Sequence, residues 1–300
     1  MSFKTPILLL VFNRPDSTRQ VFERIKAMKP TQLFVAADGA RKEVEGETEI
    51  CISVRRIVID HIDWPCETKT LFRDENLGCG KAVSGAISWF FNEVEHGIIL
   101  EDDCLPDASF FPFCEELLER YKSDERIAHI SGNNYQFGRR HGRADYYFSR
   151  YPHIWGWASW RRAWRNFKLE INDSDYALMS QQFSDLFPIK WLDAIRSGKM
   201  DTWDTQWVIH VFLENKMSIL PNRNLVENIG FNNSGTHTRN TIPFYVLGNP
   251  AGSLRFPLRH PTKIQLNQAA DRLTAAAIFK LNQSLFDRLY FKYIKTFKLR

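Results

Sequence analysis

Residues 97 to 103 read Gly-Ile-Ile-Leu-Glu-Asp-Asp, a short apolar run that delivers three consecutive carboxylates to its end. Ile98, Ile99 and Leu100 have the pattern of a strand buried on both faces, which belongs to parallel sheets covered by helices on either side. In open α/β sheets ligands bind outside the carboxyl ends of such strands. Three adjacent acids repel one another and resist ionisation unless a cation neutralises them. Hard oxygen donors suit Mg²⁺ or Mn²⁺, ions that commonly bridge one or two carboxylates to substrate phosphates. Any single acid here could instead serve a turn capping the next helix, with Asp107 near its start. All three together after this strand predict a cation site.

The preceding hundred residues alternate strand and helix. Pro6 to Phe12 predicts a first strand, and residues 16 to 28 an amphipathic helix with Val21, Phe22, Ile25 and Met28 on one face and Asp16 placed to cap it. Leu33 to Ala37 is a second strand running into Asp38-Gly39, followed by a helix over roughly 46 to 61. A third strand near Thr68 to Phe72 leads through Arg73-Asp-Glu-Asn-Leu-Gly78 into a helix that ends near His96. The order βαβαβαβ predicts an α/β fold with a doubly wound, mostly parallel sheet and right-handed crossovers. Beyond Asp103 the pattern loosens. It predicts a helix over 107 to 121, strands at 127 to 131 and 146 to 149, a Trp- and Arg-rich segment at 155 to 164, and a helix over 201 to 215. Residues 221 to 262 read as loop. With no internal repeat and no low-complexity linker, the regular and irregular halves are expected to share one core.

The net charge of +5 is uneven. Residues 278 to 300 hold six basic side chains against Asp287 alone, which leaves 34 basic and 34 acidic groups over the rest. No basic stripe covers the body, which argues against nucleic-acid binding. Five cysteines with no C-x-x-C spacing indicate neither a disulfide framework nor a structural zinc site, and suggest a reducing, cytoplasmic setting. The apolar run at 6 to 12 is too short for a signal-peptide core or a membrane span.

Gly78-Cys-Gly-Lys81 resembles part of a P-loop, but Glu75 and Ala82 stand where Gly and Ser or Thr belong. There is no G-x-G-x-x-G after the first strand, no H-E-x-x-H and no G-x-S-x-G. What remains is a polar residue set at successive strand ends: Asn13 and Arg14, Asp38, Arg73 with Asn76, and Glu101-Asp102-Asp103. In a doubly wound sheet these ends meet in one cleft. A cation, a carboxylate able to accept an N–H from a base, and a metal-binding acid pair suit a nucleoside diphosphate. Each residue also has a plain structural reading: Arg14 at a helix start, Asp38-Gly39 as a turn, Asn76 with Gly78 at another helix start.

Through Phe12-Asn13-Arg14-Pro15, Asp38-Gly39, Asn76-Leu-Gly78 and Glu101-Asp102-Asp103, the chain resembles the GT-A class of nucleotide-sugar glycosyltransferases over roughly residues 5 to 240. The acid triplet is similar to the E-D-D form of the D-x-D motif, as in the N-acetylglucosaminyltransferase I type of enzyme. Trp155-Gly-Trp157 and Trp203-Asp204 further resemble a bacterial family-two-like subgroup, some members of which are labelled haemolytic-protein homologues. The resemblance implies that Asp103 coordinates Mn²⁺ or Mg²⁺ on the donor diphosphate, that Asp102 and Glu101 hold ribose and sugar, and that Asp38 binds the base with Arg73 beside it. It also implies a general base on a helix after the metal motif, here Asp204 in Asp201-Thr-Trp-Asp-Thr-Gln-Trp207, with Asp201 as the expected N-cap. Acids in a first turn are also stabilised by the helix dipole alone. His237 stands where some relatives carry a late metal or phosphate ligand, although a loop His is commonly just solvated.

Trp155, Trp157 and Trp160 could stack on an acceptor sugar, and core packing is the expected fate of at least two of them. Residues 285 to 300 mix bulky apolar and basic side chains, the pattern of a helix that lies on a membrane surface or docks on the body with a basic outer face. These readings lead to a catalytic region over 1 to 245, divided near 103 into nucleotide-binding and acceptor halves, with an extension over 246 to 300. The expected activity is metal-dependent, inverting glycosyl transfer from a nucleotide diphosphate, UDP above others, to a hydroxyl of a cell-surface glycan or lipid-linked acceptor. A sugar nucleotidyltransferase and a non-catalytic glycan- or membrane-binding protein are the alternatives. The first lacks support because Asn13-Arg14-Pro15 stands where a Gly-rich phosphate loop belongs.

Overall fold

The computed structural model describes residues 3–231, 246, 250–294 and 296. Its first half follows the predicted alternation: β1 (Ile7–Val11), α1 (Pro15–Met28), β2 (Gln32–Ala37), α2 (Glu47–Ile59), β3 (Glu67–Phe72), α3 (Gly78–Glu93) and β4 (His96–Glu101). These four strands are parallel in the order β3-β2-β1-β4. All five residues of β1 are buried. Ile7, Leu9 and Val11 face one core with Val21, Phe22 and Val54, whereas Leu8 and Leu10 face a second with Ala86, Ile87 and Phe90. That two-residue alternation sends α1 and α2 to one side of the sheet and α3 to the other. Asp16 does not cap α1: Arg14 is the N-cap residue and Pro15 takes the first turn, where its missing N–H is no loss.

The second half supplies β5 (Cys104–Pro106), α4 (Phe110–Arg120), β6 (Ile127–Ser131), β7 (Tyr146–Ser149), β8 (Trp157–Trp160), α5 (Arg161–Trp164), α6 (Asp173–Gln182), α7 (Ile189–Arg196), α8 (Asp204–Leu213), β9 (Met217–Pro221) and β10 (Val226–Asn228). Two of these elements fill stretches that the sequence reading left unassigned, and a third corrects it. The Trp-rich segment contains a strand, β8, which runs antiparallel to β4 with Ile99 opposite Trp157. Residues 217 to 221 form β9, parallel to β6, and the supposed loop beyond 221 contains β10, which pairs with β5 directly after the acids. Both halves thereby contribute to one eight-stranded sheet, ordered β3-β2-β1-β4-β8-β6-β9-β7.

The C-terminal part adds α9 (Gln268–Thr274), a π-helical turn (Ala275–Phe279) and α10 (Leu285–Tyr293). Asp271 of α9 ties it to β7, accepting from Ser149 Oγ at 2.6 Å. Phe291 and Ile294 bury α10 against Phe137, yet Leu285, Phe286, Leu289 and Tyr293 are 75, 66, 59 and 54% exposed. The outer face of this docked helix is therefore apolar as well as basic. No helix among the described residues is long and apolar enough to cross a membrane.

Candidate active site

The carboxyl ends of β1 to β4 open into a cavity of about 320 Å³. Seven residues singled out in the sequence line it: Asn13, Arg14, Asp38, Arg73, Asn76, Glu101 and Asp102. The register explains the convergence. Leu10 lies opposite Glu101, so the residue after β1 meets the residue after β4, and Phe12 N–H donates to Asp102 Oδ2 at 3.1 Å.

Arg14 Nη1 lies 3.1 Å from Asp102 Oδ1 and 2.6 Å from Asp103 Oδ2. Burial opposes the Arg14 charge, but Asp102, Asp103 and Glu101 outweigh it and hold the guanidinium protonated. Burial pushes the Asp102 carboxyl up to about 7, against the pull of Arg14 and the Phe12 N–H. Glu101 is raised well above the usual carboxylate range, first by burial and then by Asp103, Asp102 and Asp204. One guanidinium thus contacts two carboxylates and lies in the field of a third, and their oxygens are of the type a hard cation takes. It offers carboxylate contacts and no cage, since among the described residues no three ligating side chains form a metal cluster. Asp103, expected to hold the metal, is not among the residues lining the cavity; it pairs with Arg14 and lies against Gly230, where an added Cβ would overlap its carboxylate.

The α3 N-terminus forms the opposite wall. Asp38 accepts from Leu77 N–H at 3.0 Å and Gly78 N–H at 3.2 Å, so the carboxylate that the resemblance assigns to a base also holds the start of this helix. Asn76 Nδ2 donates to Gly39 O at 2.8 Å and clamps the loops after β2 and β3 together. Arg73 has a buried Nη1 with no hydrogen-bond partner in a residue that lines the cavity. An unpartnered buried donor of this kind calls for a ligand oxygen or water.

Sequence reasoning passed over Glu47 and Arg41, and read Asp201 as an N-cap. Glu47 is 1% exposed and accepts from Asn13 Nδ2 and Arg41 N–H, both at 2.7 Å, and from the Arg41 guanidinium. The Arg41 hydrogen bonds hold Glu47 below its usual pKa. Glu47 stands in the first turn of α2, where an acid reads as a helix-dipole partner. Asp201 is not the N-cap of α8, a place held by Trp203. It lines the cavity instead and accepts from Gly80 N–H at 3.0 Å, across from Gly78, whose φ of +80° and crowding against Asp201 leave no space for a side chain.

Asp204 is the first residue of α8 and accepts from Thr205 N–H at 2.6 Å and from Thr202 Oγ1. It adds to the negative field on Glu101 and on Cys79, both of which line the cavity. Trp157 offers no face to a sugar: it is wholly buried, stacked on Trp203 at 5.7 Å and His129 at 5.0 Å. Trp160 is also buried, donating from Nε1 to Leu118 O. Trp155 is half-buried and lines a separate cleft. His237 lies outside the described residues.

No protein-family model matches the sequence, and no curated protein does. Solved structures similar to this chain include HddC from Yersinia pseudotuberculosis, at 10% identity over 53% of this chain and 77% of that one, with a TM-score of 0.31. Mouse xyloside xylosyltransferase 1 in its apo form is 12% identical over 70% of this chain and 81% of its own, with a TM-score of 0.33. A UDP-glucose pyrophosphorylase complexed with UDP-glucose is 10% identical over 73% and 90%, with a TM-score of 0.35. Likenesses this slight assign no activity. The chain is a mixed α/β protein with a large, mostly parallel central sheet and an acid-lined cavity at its carboxyl edge.

Proposed function

We propose that the protein is a glycosyltransferase that binds a nucleotide sugar, with UDP as the favoured nucleotide, in the cavity at the ends of β1 to β4. The observation that carries this reading is the meeting, in one cavity, of a buried Arg73 donor without a partner, the Arg14 guanidinium and the acids Glu101 and Asp102, with Asp103 paired to Arg14 behind them. Asp38 would accept from the base and Arg73 would donate to the nucleotide, while Glu101 and Asp102 take ribose and sugar hydroxyls. Asp103, with Asp102 beside it, would hold Mg²⁺ or Mn²⁺. When bound, the ion supplies positive charge to the departing diphosphate. Asn13, fastened to Glu47, and Asn76, fastened to Gly39, keep the walls in place.

Asp204 is the proposed base for the acceptor hydroxyl, a role worth typically about 10² to 10⁴-fold in rate. With one displacement the anomeric centre inverts. Asp201 is the second reading for the base, favoured by its place on the cavity wall. A nucleotidyltransferase is less well supported. Its triphosphate needs a cradle of backbone N–H groups after β1, but here Asp102 takes the Phe12 N–H and Pro15 has none. A hydroxyl on a lipid-linked or cell-surface glycan is the proposed acceptor, reached at the membrane through the apolar outer face of α10.

The test is the thermal midpoint with UDP, GDP, CMP and dTDP, each with and without Mn²⁺, for the wild type and Asp103→Asn. A nucleotide present at a hundredfold its Kd stabilises the folded state by about 2.7 kcal/mol. A shift with one nucleotide that needs both the metal and Asp103 is expected. No shift with any nucleotide overturns the reading. Release of sugar from the matching donor, slowed in Asp204→Asn but not in Asp201→Asn, separates the two bases.

A further inference from the structure

A second cleft, of about 180 Å³, opens beside the acid site and contains Asn133, Tyr135, Trp155, Glu227 and Phe231. Its floor is unusual. Asn133 is 1% exposed, yet neither its Nδ2 nor its Oδ1 has a hydrogen-bond partner. The backbone around it is tightly held: Gly132 N–H donates to Gly156 O at 2.7 Å, and Leu225 N–H to Gly132 O at 2.8 Å. An added Cβ on Gly132 would overlap Val226, Gly156 and Phe110. Asn134, next in the chain, is fully engaged through Pro221 O, Gln136 N–H and the Asn224 side chain. An amide placed so firmly and left unsatisfied is a donor–acceptor pair waiting for a ligand.

The walls specify the ligand's chemistry. Trp155 meets Tyr135 at 5.6 Å and 89°, and Phe231 at 5.5 Å and 69°, so three contacting rings line the cleft together with Asn133. Among the described residues lining the cleft there is no Lys or Arg, and the one charged side chain is Glu227, which is exposed. A pyranose fits: its C–H faces pack on aromatic rings, and its hydroxyl or acetamido groups supply both a donor and an acceptor to one amide. The volume is below that of a drug-sized pocket and suits one ring.

We infer that this cleft is a monosaccharide subsite in which Asn133 reads the sugar's polar groups and Trp155 stacks on its face. Position gives it a role. Ile229 N–H donates to Asp103 O at 2.8 Å, and Gly230 packs on the Asp103 side chain, so the segment ending at Phe231 joins the cleft to the acid site. Its assignment as the acceptor subsite rests on the transferase reading above; its binding chemistry does not.

Titration of the full-length protein with the methyl glycosides of glucose, galactose, mannose, rhamnose and N-acetylglucosamine tests the inference. Tryptophan fluorescence and the side-chain amide NMR signals of Asn133 are the readouts. At least one glycoside is expected to saturate the wild type and to bind at least about tenfold more weakly to Asn133→Ala and Trp155→Ala. Asn133→Ala removes an amide that no neighbour uses, and its thermal midpoint verifies folding; Asn133→Asp serves as a second variant. A cleft that holds only water gives no saturable response, which overturns the inference, as does equal binding by Asn133→Ala. Glycoside binding without any nucleotide response would leave the subsite standing and remove the transferase reading. The reverse would remove the subsite alone.

Discussion

Arg14 Nη1 lies 2.6 Å from Asp103 Oδ2 and 3.1 Å from Asp102 Oδ1, so a single guanidinium fastens the loop after β1 to both acids that follow β4. The pair is largely buried, with side-chain exposures of 16% for Arg14 and 7 and 13% for the acids. Removing one partner of a buried ion pair leaves an uncompensated charge, at a cost of about 3–5 kcal/mol. Arg14→Gln is therefore expected to lower stability by that order in urea unfolding at pH 7. The deficit should shrink at pH 5, because Asp102, raised to about 7, is protonated there and no longer needs the guanidinium. A deficit that stays constant with pH would remove the charge explanation.

Trp157 and Trp155 stand two residues apart and face different environments. Trp157→Ala empties a wholly buried site and should cost about 3–5 kcal/mol. Trp155→Ala truncates a half-buried ring at a cleft and should cost much less in stability while weakening glycoside binding. Thermal or urea unfolding of the two variants in parallel checks the contrast, and equal losses would contradict it.

Buried titratable groups give two pH dependences of opposite sign. Trp207 Nε1–H donates to His129 Nδ1 at 3.1 Å, which fixes the neutral tautomer with its proton on Nε2, donated to His153 O at 2.9 Å. Burial holds His129 down at about 3. Between that value and about 6.5 the unfolded chain binds a proton that the folded one refuses, so this contribution is complete above 6.5 and lost as pH falls. The penalty of His129→Asn should decline by about 2 kcal/mol between pH 6.5 and 5. Asp271, raised to about 6 chiefly by burial, behaves in reverse: its folded state holds the extra proton, so stability is gained as pH falls from 6 towards 4. The penalty of Asp271→Asn should grow over that range by about 2 kcal/mol. Urea midpoints at pH 7, 5 and 4 decide both.

The outer face of α10 presents Leu285, Phe286, Leu289 and Tyr293 to solvent beside Arg288 and Lys292. Apolar side chains insert at a lipid interface, and each basic residue adds about 1 kcal/mol near anionic lipid. Sedimentation with phosphatidylglycerol vesicles is expected to retain the wild type and to release Phe286→Asp/Leu289→Asp. Because those side chains are exposed, the double variant should unfold at the wild-type midpoint. Retention of the variant, or no retention of the wild type, counts against a membrane-facing helix.

The first half was legible because its signals are local. Apolar runs of strand length, alternating with amphipathic helical stretches, specify β1 to β4, and each strand ends on a polar residue that the parallel order must bring to one edge. Arg14, Asp38, Arg73, Asn76 and the acids were readable for that reason. The second half was less so, since β8 and β9 are short and take their identity from their partners: Trp157 belongs to a strand because Ile99 and Ser131 pair with it. The same holds at the level of single side chains. Composition cannot tell a tryptophan that stacks in the core from one that borders a cleft, nor an acid that caps its own helix from Asp201, which binds the start of another. Sequence alone determined the α/β order and the acids at the strand end, through periodicity and chain direction. Tertiary structure alone decided that Arg14 neutralises those acids, that Glu47 holds Asn13, and that Asn133 is buried without a partner, because each depends on contacts between residues far apart in the chain.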